Sequence, residues 1–383
     1  MMANWRTVPM GELCSIQSGK SDTKGAVVDG PYAFFDRSKS IKRSSRFLRD
    51  CEALIIPGEG AEFLPRHFVR KFDLHQRAYA PFNFSSHIDA TFLYHYLCHV
   101  ADYFPGVAVG ATVKSLRLRH FEQLPVRLTD PVTQRRIIAI LDDTFEGITA
   151  AKTNAEKNLQ NARELYECQL ESLFAAGGAK WPERSLEQVA SIINGFAFKS
   201  TDFQSTPRVK SIKITNVGVR EFVADAGNHL PTPFAQRHAG VAVAMGSIVL
   251  ALTRTIITGG LKVAVVPADF HGALLNQRVA AIQPRASELG TAFLYAYLST
   301  RRVMDHVKSR VNTLMQPNLS IGDLRQLPLP VPAMSEQRAL VALLTRFGDE
   351  SKRLESAYRR KLAALDELKN SLLHQAFSGG LSP

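Results

Sequence analysis

Residues 121–141, FEQLPVRLTDPVTQRRIIAIL, lie without a gap over residues 324–344, LRQLPLPVPAMSEQRALVALL, 203 positions later. Leu124-Pro125 falls on Leu327-Pro328, Gln134-Arg135 on Gln337-Arg338, Leu141 on Leu344 and, further along, Phe174 on Phe377. An upstream pair matches as well: WRTVPMGELCSIQSG at 5–19 and WPERSLEQVASIING at 181–195, 176 positions apart. Between these ends, Phe92-Leu93-Tyr94 and Tyr96-Leu97 return as Phe293-Leu294-Tyr295 and Tyr297-Leu298. The offset grows from 176 to 203, so the second middle is 27 residues longer. Self-similarity of this kind marks a repeated structural unit. With like ends and unlike middles, the repeat keeps a frame and changes what the frame holds.

The stretch that follows each quoted segment has helical spacing. From Gln134 to Phe174, apolar or small residues recur at Ile138, Leu141, Phe145, Ile148, Ala155, Leu159, Ala162, Tyr166 and Leu173, interrupted by Lys152 and Gln169. The second copy offers Leu340, Leu344, Phe347, Leu354, Tyr358, Leu362, Leu365, Leu372 and Ala376. Steps of three and four are those of a coiled-coil seam. Thr133 and Ser335 are the expected N-caps, and Gly177-Gly178 and Gly379-Gly380 are expected to end the helices in the left-handed conformation. Each helix, at about 42 residues, would run about 60 Å. A polar-backed helix of that length needs cover for its apolar stripe, and its duplicate is the natural partner.

The middles read as mixed α+β. In the second, Arg208–Val217, Ser247–Thr253, Leu261–Pro267 and Arg278–Gln283 have strand character, and Thr291–Lys308 has helical spacing. In the first, Ala53–Pro57 reads as a strand and Ala90–Phe104 as a helix. The expected fold is α+β, with two mixed heads at 1–120 and 178–322. Two long helices, in the spacers 121–177 and 323–383, form an antiparallel coiled coil under an internal pseudo-twofold repeat.

The chain has 383 residues, enough for two or three domains. Its formal net charge is +12, of which residues 1–120 carry +5 and residues 175–322 carry +8, while 121–174 carry −3 and 323–383 carry +2. The excess positive charge therefore sits in the heads, which favours a polyanionic partner, nucleic acid first. The longest uncharged apolar stretch, Val241 to Thr253, is shorter than a membrane span and is broken by Gly246, so no membrane partner is expected. Cys14, Cys51, Cys98 and Cys168 are scattered and form no ligand grouping, and a reducing cytoplasm is the expected setting.

Motifs that would carry chemistry are incomplete. Gly19-Lys20-Ser21 has the ending of a phosphate-binding loop, but Cys14 occupies the place of its first glycine. Pro57-Gly58-Glu59-Gly60 lacks the third glycine and the helix start of a dinucleotide site. His95 and His99 stand one helical turn apart without a third zinc ligand. Ala80-Pro81-Phe82-Asn83-Phe84 has alanine where an amino-methyltransferase motif carries an acid or amide. The expectation is a chain without catalytic residues, cofactor or metal.

In its order of elements the whole chain resembles the specificity subunits of type I restriction–modification systems. The resemblance runs through the head opening VASIINGFAFKSTDF at 189–203, Lys213-Ile214-Thr215-Asn216-Val217, GSIVLALTR at 246–254 and GLKVAVV at 260–266. It continues through Leu275-Asn276-Gln277-Arg278-Val279 and the run from Gln316-Pro317-Asn318-Leu319-Ser320 to Glu336-Gln337-Arg338, with EALIIPGEG at 52–60 in the first head. The first copy departs from the pattern where Val126-Arg127-Leu128 replaces Leu329-Pro330-Val331 and Thr133-Gln134 replaces Glu336-Gln337.

The resemblance implies that each head reads one half of a bipartite double-stranded DNA target. It implies that the helices set the gap and dock two modification subunits, which bind S-adenosylmethionine and methylate adenine, and that restriction subunits complete the nuclease. The expected DNA-contacting residues are Lys20, Lys24, Arg37, Lys39, Lys42, Arg43, Arg46 and Arg66 in the first head. In the second they are Lys199, Lys213, Asn216, Arg254, Gln277 and Arg278. Arginine, glutamine and asparagine can pair bidentately with base edges, whereas lysine mainly meets phosphate. A non-specific basic coiled-coil scaffold and a single-chain DNA-modifying enzyme remain open as alternatives.

Overall fold

The computed structural model describes residues 5–60, 62–178, 180–206, 208–224, 227–310 and 318–381; residues 1–4 and the expected motif at Gln316-Pro317 lie outside these. Two compact units emerge, Met1–Lys157 with Tyr358–Pro383, and Asn158–Ala357. Each combines a head with the opening part of one long helix and the closing part of the other. The sequence segments 1–120 and 178–322 are thus only the head portions of these units.

Both heads are closed at the base by the duplicated ends. Arg6–Pro9 pairs antiparallel with Pro125–Leu128, and Glu183–Ser185 pairs antiparallel with Pro328–Pro330. Prolines fit such two-stranded edges because their missing N–H faces no ladder partner. The departure at Val126-Arg127-Leu128 therefore leaves the pairing intact. Above it, the first head carries a seven-stranded mixed sheet, in which Ser15–Ser18, Ala78–Phe82, Arg49–Pro57, Arg66–Leu74 and Tyr32–Phe35 are successive neighbours. The second head repeats this order in two four-stranded sheets, with Ala190–Asn194, Val279–Pro284, Ile248–Ala251 and Val263–Val265 in one. In the other, Val209–Ile212 lies parallel to Ala273–Leu275, as Tyr32–Phe35 lies parallel to Arg66–Leu74. The expected strands are present with altered bounds: Arg208–Val217 gives way after Ile212 to a 3-10 turn at Ile214–Asn216, whereas Ala53–Pro57 is the end of a longer strand, Arg49–Pro57. The expected helices break in two, at Ala90–His99 and Tyr103–Val107, and at Thr291–Leu298 and Arg301–Arg310.

The long helices run Pro131–Gly178 and Met334–Ser378, 48 and 45 residues. Leu141, Ile148, Ala155 and Ala162, seven apart, are buried along the first. The partner seam includes Ser351, a buried polar residue whose hydroxyl donates to the Ala162 carbonyl at 2.6 Å. Lys152 pairs with Asp366 at 2.7 Å within the first unit, and Arg163 with Glu355 at 3.2 Å within the second. In the second unit Tyr166 lies beside Gly348 as Ala162 lies beside Ser351, so rising numbers on one helix meet falling numbers on the other: the pairing is antiparallel.

The helix starts differ from expectation. Asp130, not Thr133, accepts from the N–H groups of Val132 and Thr133, both at 3.0 Å, because it is the last residue before the helix and its carboxylate can fold over the first turn. Ser335 lies inside the second helix, where Glu336 instead reaches back to the Ala333 N–H at 3.3 Å. At the far ends, Gly379 has φ +95 and turns the chain out beside Trp5, whose Nε1 would lie 3.5 Å from a Cβ at that position. Gly177 is helical, and its bareness serves packing: a Cβ there would stand 2.1 Å from the Trp181 ring.

The core of the first head gathers Phe92, Leu93, Leu97, Phe104 and Phe121 with Ile137 and Leu141 from the start of the first long helix. Leu373, Ala376 and Phe377, from the end of the second helix, complete it. The second head has the mirrored arrangement, with Phe293, Leu294, Tyr297 and Leu298 around Leu344 and around Leu170 and Phe174.

Candidate nucleic-acid interface

In the second head, several strand ends meet at one edge. The Leu252 N–H donates to the Arg278 carbonyl at 2.9 Å, Gly195 to Val279 at 3.2 Å, Phe196 to Leu275 at 2.9 Å and Asn276 to Ile212 at 2.9 Å. These bonds fix the turn Asn276-Gln277-Arg278 between its neighbours and leave the Gln277 and Arg278 side chains exposed. Gly195 is required here, since a Cβ would fall 2.0 Å from the Asn276 carbonyl.

Of the other expected residues, Arg254 and Lys199 are exposed near this edge. Arg254 holds φ +50, a left-handed backbone that costs a non-glycine residue about 1 kcal/mol or more. Lys213 packs its ammonium 3.4 Å from the centre of the Phe203 ring. Asn216 departs from expectation. It is fully buried, its Oδ1 accepts from the Lys213 N–H at 2.8 Å and its Nδ2 donates to the Val223 carbonyl at 2.8 Å. Short polar side chains favour such local backbone bonds, so Asn216 shapes the turn rather than facing a base.

Lys262, absent from the sequence expectation, belongs to this edge. Its ammonium donates to the Ile214 carbonyl at 2.7 Å, and burial, followed by the nearby charge of Arg254, pushes its pKa below the ordinary lysine value. No spacing rule singles it out, because its place depends on tertiary bonds: its N–H donates to the Thr255 carbonyl at 2.8 Å and its carbonyl accepts from the Ala251 N–H at 3.1 Å.

The first head spreads its expected residues more widely. Lys20, Lys24, Arg37, Lys39 and Arg43 are exposed, Lys39 with Glu62 at 2.9 Å. Arg66 donates to the Ser38 carbonyl and stands over the Phe35 ring at 5.9 Å. Lys42 and Arg46 serve the framework. Lys42 pairs at 2.6 Å with Asp36; burial alone would raise that carboxyl, but the bonds from Lys42 and Ser38 outweigh it and hold it below its usual value. Arg46 donates to the Ser21 hydroxyl at 2.9 Å and stands 3.6 Å from the buried Asp73.

The first head also has an edge turn, outside the residues expected to meet DNA. The Gly58 N–H donates to the Arg77 carbonyl at 2.8 Å, Gly19 to Ala78 at 3.1 Å, Ser21 to Leu74 at 3.2 Å and His75 to Phe35 at 2.9 Å. Gln76 and Arg77 are exposed on it. With Asp36, Arg37, Lys42 and Glu59 they line a recess of about 390 Å³, and Arg77 is paired with Glu59. The signal lay in the sequence: LHQRA at 74–78 matches LNQRV at 275–279 at an offset of 201, the offset of the two Phe-Leu-Tyr segments.

Residues near the helices that had the spacing of metal ligands are engaged otherwise. His95 pairs with Asp142 at 2.7 Å, and His99 stacks 5.4 Å from Phe377. Among the described residues no group of three or more His, Cys, Asp or Glu is placed to hold a metal ion, and no helix is long and apolar enough to cross a membrane.

Residues 179–362 match the family described as type I restriction modification DNA specificity domain. The chain is 23% identical to the type I restriction enzyme EcoDI specificity subunit of Escherichia coli, over 99% of this chain and 89% of that one. It is 23% identical to the MjaVIII specificity subunit of Methanocaldococcus jannaschii, over 76% and 70% respectively. A chain from a structural study of complex assembly and conformational transition in the type I system shares the fold, with TM-score 0.71 at 17% identity over 97% of both chains. The HsdS subunit of Thermoanaerobacter tengcongensis does so with TM-score 0.54 at 17% identity, over 98% of this chain and 97% of that one. Duplicated heads, paired long helices and these relatives agree: residues 179–362 match the type I restriction modification DNA specificity domain, and the chain as a whole is similar to type I restriction enzyme specificity subunits.

Proposed function

We propose that each head reads one half of a bipartite DNA target, and that the paired helices set the unread gap and hold two modification subunits. The observation that carries this reading is the duplicated edge turn, an exposed glutamine–arginine pair presented by each basic head on the same frame. Positive charge concentrated in the heads suits phosphate, and a helix pair with little net charge suits a protein partner. Chemistry belongs to the partners: S-adenosylmethionine is bound and adenine methylated by the modification subunits, with restriction subunits joining for cleavage. The chain itself has no catalytic role and no cofactor.

Co-expression with the modification subunits, followed by methylation mapping, tests this. Two short motifs separated by a fixed gap are expected. Methylation without sequence preference would instead indicate a scaffold, and methyl transfer by the purified chain alone would indicate an enzyme.

A further inference from the structure

The two edge turns are alike in a way that their surroundings are not. Leu74-His75-Gln76-Arg77-Ala78 and Leu275-Asn276-Gln277-Arg278-Val279 share a buried first and last residue, a half-buried second and an exposed Gln-Arg pair. Their backbone bonds correspond one for one. Gln76 donates to Ser21 at 2.8 Å and Gln277 to Phe196 at 2.9 Å; Ala78 donates to His75 at 2.9 Å and Val279 to Asn276 at 3.0 Å. One layer further out, Leu116 donates to Gly58 and Leu319 to Leu252, both at 2.8 Å.

Around this common turn the side chains change. Thr253 replaces Glu59, Arg254 replaces Gly60, and Asn318 replaces Ser115 across the matching bridges. Phe196 stands where the first head has Ser21. Two readers of unrelated half-sites must differ where they discriminate. What they hold in common can address only what both half-sites hold in common, and that is the sugar–phosphate backbone. A guanidinium suits a phosphate through two parallel N–H bonds, and a glutamine amide can donate to a phosphate oxygen.

We propose that Gln76-Arg77 and Gln277-Arg278 are equivalent phosphate clamps that seat each head on DNA, with discrimination left to the differing side chains around them. The proposal rests on the reading of the heads as half-site readers, and it moves Arg278 from base recognition to backbone contact. The clamps differ in preparation. Arg77 is already held by Glu59, which also accepts from the Ser115 hydroxyl at 3.0 Å, whereas Arg278 has no side-chain partner among the described residues.

The test uses the full chain with its modification subunits and a pool of random-sequence DNA duplexes. Sequencing the bound fraction reads preference, and affinity measured across a salt series reads phosphate contact. The wild-type complex should select two separated motifs. Arg77→Ala and Arg278→Ala should each select the same motifs more weakly and flatten the slope of log affinity against log salt by about one. Arg278→Lys should restore the slope, since it keeps the charge. A motif that becomes degenerate at one base pair would make the arginine a base reader and overturn the proposal, and so would unchanged affinity and slope. A wild-type complex that selects no motif would sink the half-site reading itself, a result distinct from either.

Discussion

Phe377, near the end of the second long helix, stands 5.2 Å from Phe92 in the first head, with their rings at 72°. Its repeat mate Phe174 stands 5.3 Å from Phe293 in the second head. Each long helix therefore begins on the core of the head that precedes it in sequence and ends in the core of the other.

Truncating either ring should loosen one unit selectively. Phe377→Ala and Phe174→Ala should each cost about 3–5 kcal/mol, the range for a large buried aromatic. Hydrogen exchange should show head amides in 5–128 opening in the first variant and those in 181–330 in the second. Equal loss of protection across both heads in either variant would refute the separation.

Exchange of a head between relatives should obey the same packing. A chimera that replaces residues 1–120 alone places a foreign core against Leu373, Ala376 and Phe377 and should melt lower than one that also replaces 358–383. Thermal melts of the two chimeras decide this, and equal midpoints would mean that the closing turn contributes little. In the better chimera, methylation mapping should show one half-site changed and the other kept.

Gln134 and Gln337 test the duplicated frame at the level of single bonds. Each is buried, and its Nε2 donates to two carbonyls, those of His87 and Thr129 or those of Glu288 and Pro332. Each Oε1 accepts one N–H at the start of a head helix, from Asp89 at 2.9 Å or Gly290 at 2.8 Å. Gln134→Leu should cost about 1–3 kcal/mol or more, because buried backbone groups lose their partners. Chemical denaturation measures it, and a change below about 0.5 kcal/mol would show that water replaces the amide.

Acid should weaken the first unit. Burial pushes His95 below the ordinary imidazole value even though Asp142 pulls the other way, and burial lowers His99 as well. The folded state then binds fewer protons than the unfolded chain. Stability from these groups is complete above the unfolded imidazole value and is lost as pH falls through it. The melting midpoint should drop between about pH 7.5 and about pH 5.5, less steeply in His95→Gln. Identical pH slopes for variant and wild type would clear His95 of the effect.

The helix pair offers a measure of the unread gap. Seven residues inserted between Lys152 and Arg163, and seven between Glu355 and Asp366, preserve the seam and add about 10 Å. The gap between methylated motifs should lengthen by roughly three base pairs, at about 3.4 Å per pair. An active variant with the old gap would show that the helices do not set it.

The frame was legible in the sequence because its determinants are local and doubled. The three-and-four spacing, the matched Leu-Pro steps and the paired glutamines each recur, and recurrence separates pattern from chance. Position within the heads was less legible. Asn216 looks like a base reader from its residue type, yet short-range backbone bonds claim it. Lys42 and Arg46 look like surface charge until the fold brings Asp36 and Asp73 beneath them. The Gln76-Arg77 turn is legible through the repeat offset alone, because its single arginine makes no basic run of the kind found from Arg37 to Arg46. Helix caps were misplaced by a few residues because Asp130 competes with Thr133 for the same first turn.

Trp5 and Gly379, at opposite ends of the described chain, lie side by side, and Trp5 and Leu381 pack against the same core. The first unit is therefore clasped by residues more than 370 positions apart, and each of the two segments shields the other's apolar side from water. Shortening the polypeptide at one of them would bare the other, although no covalent bond joins them.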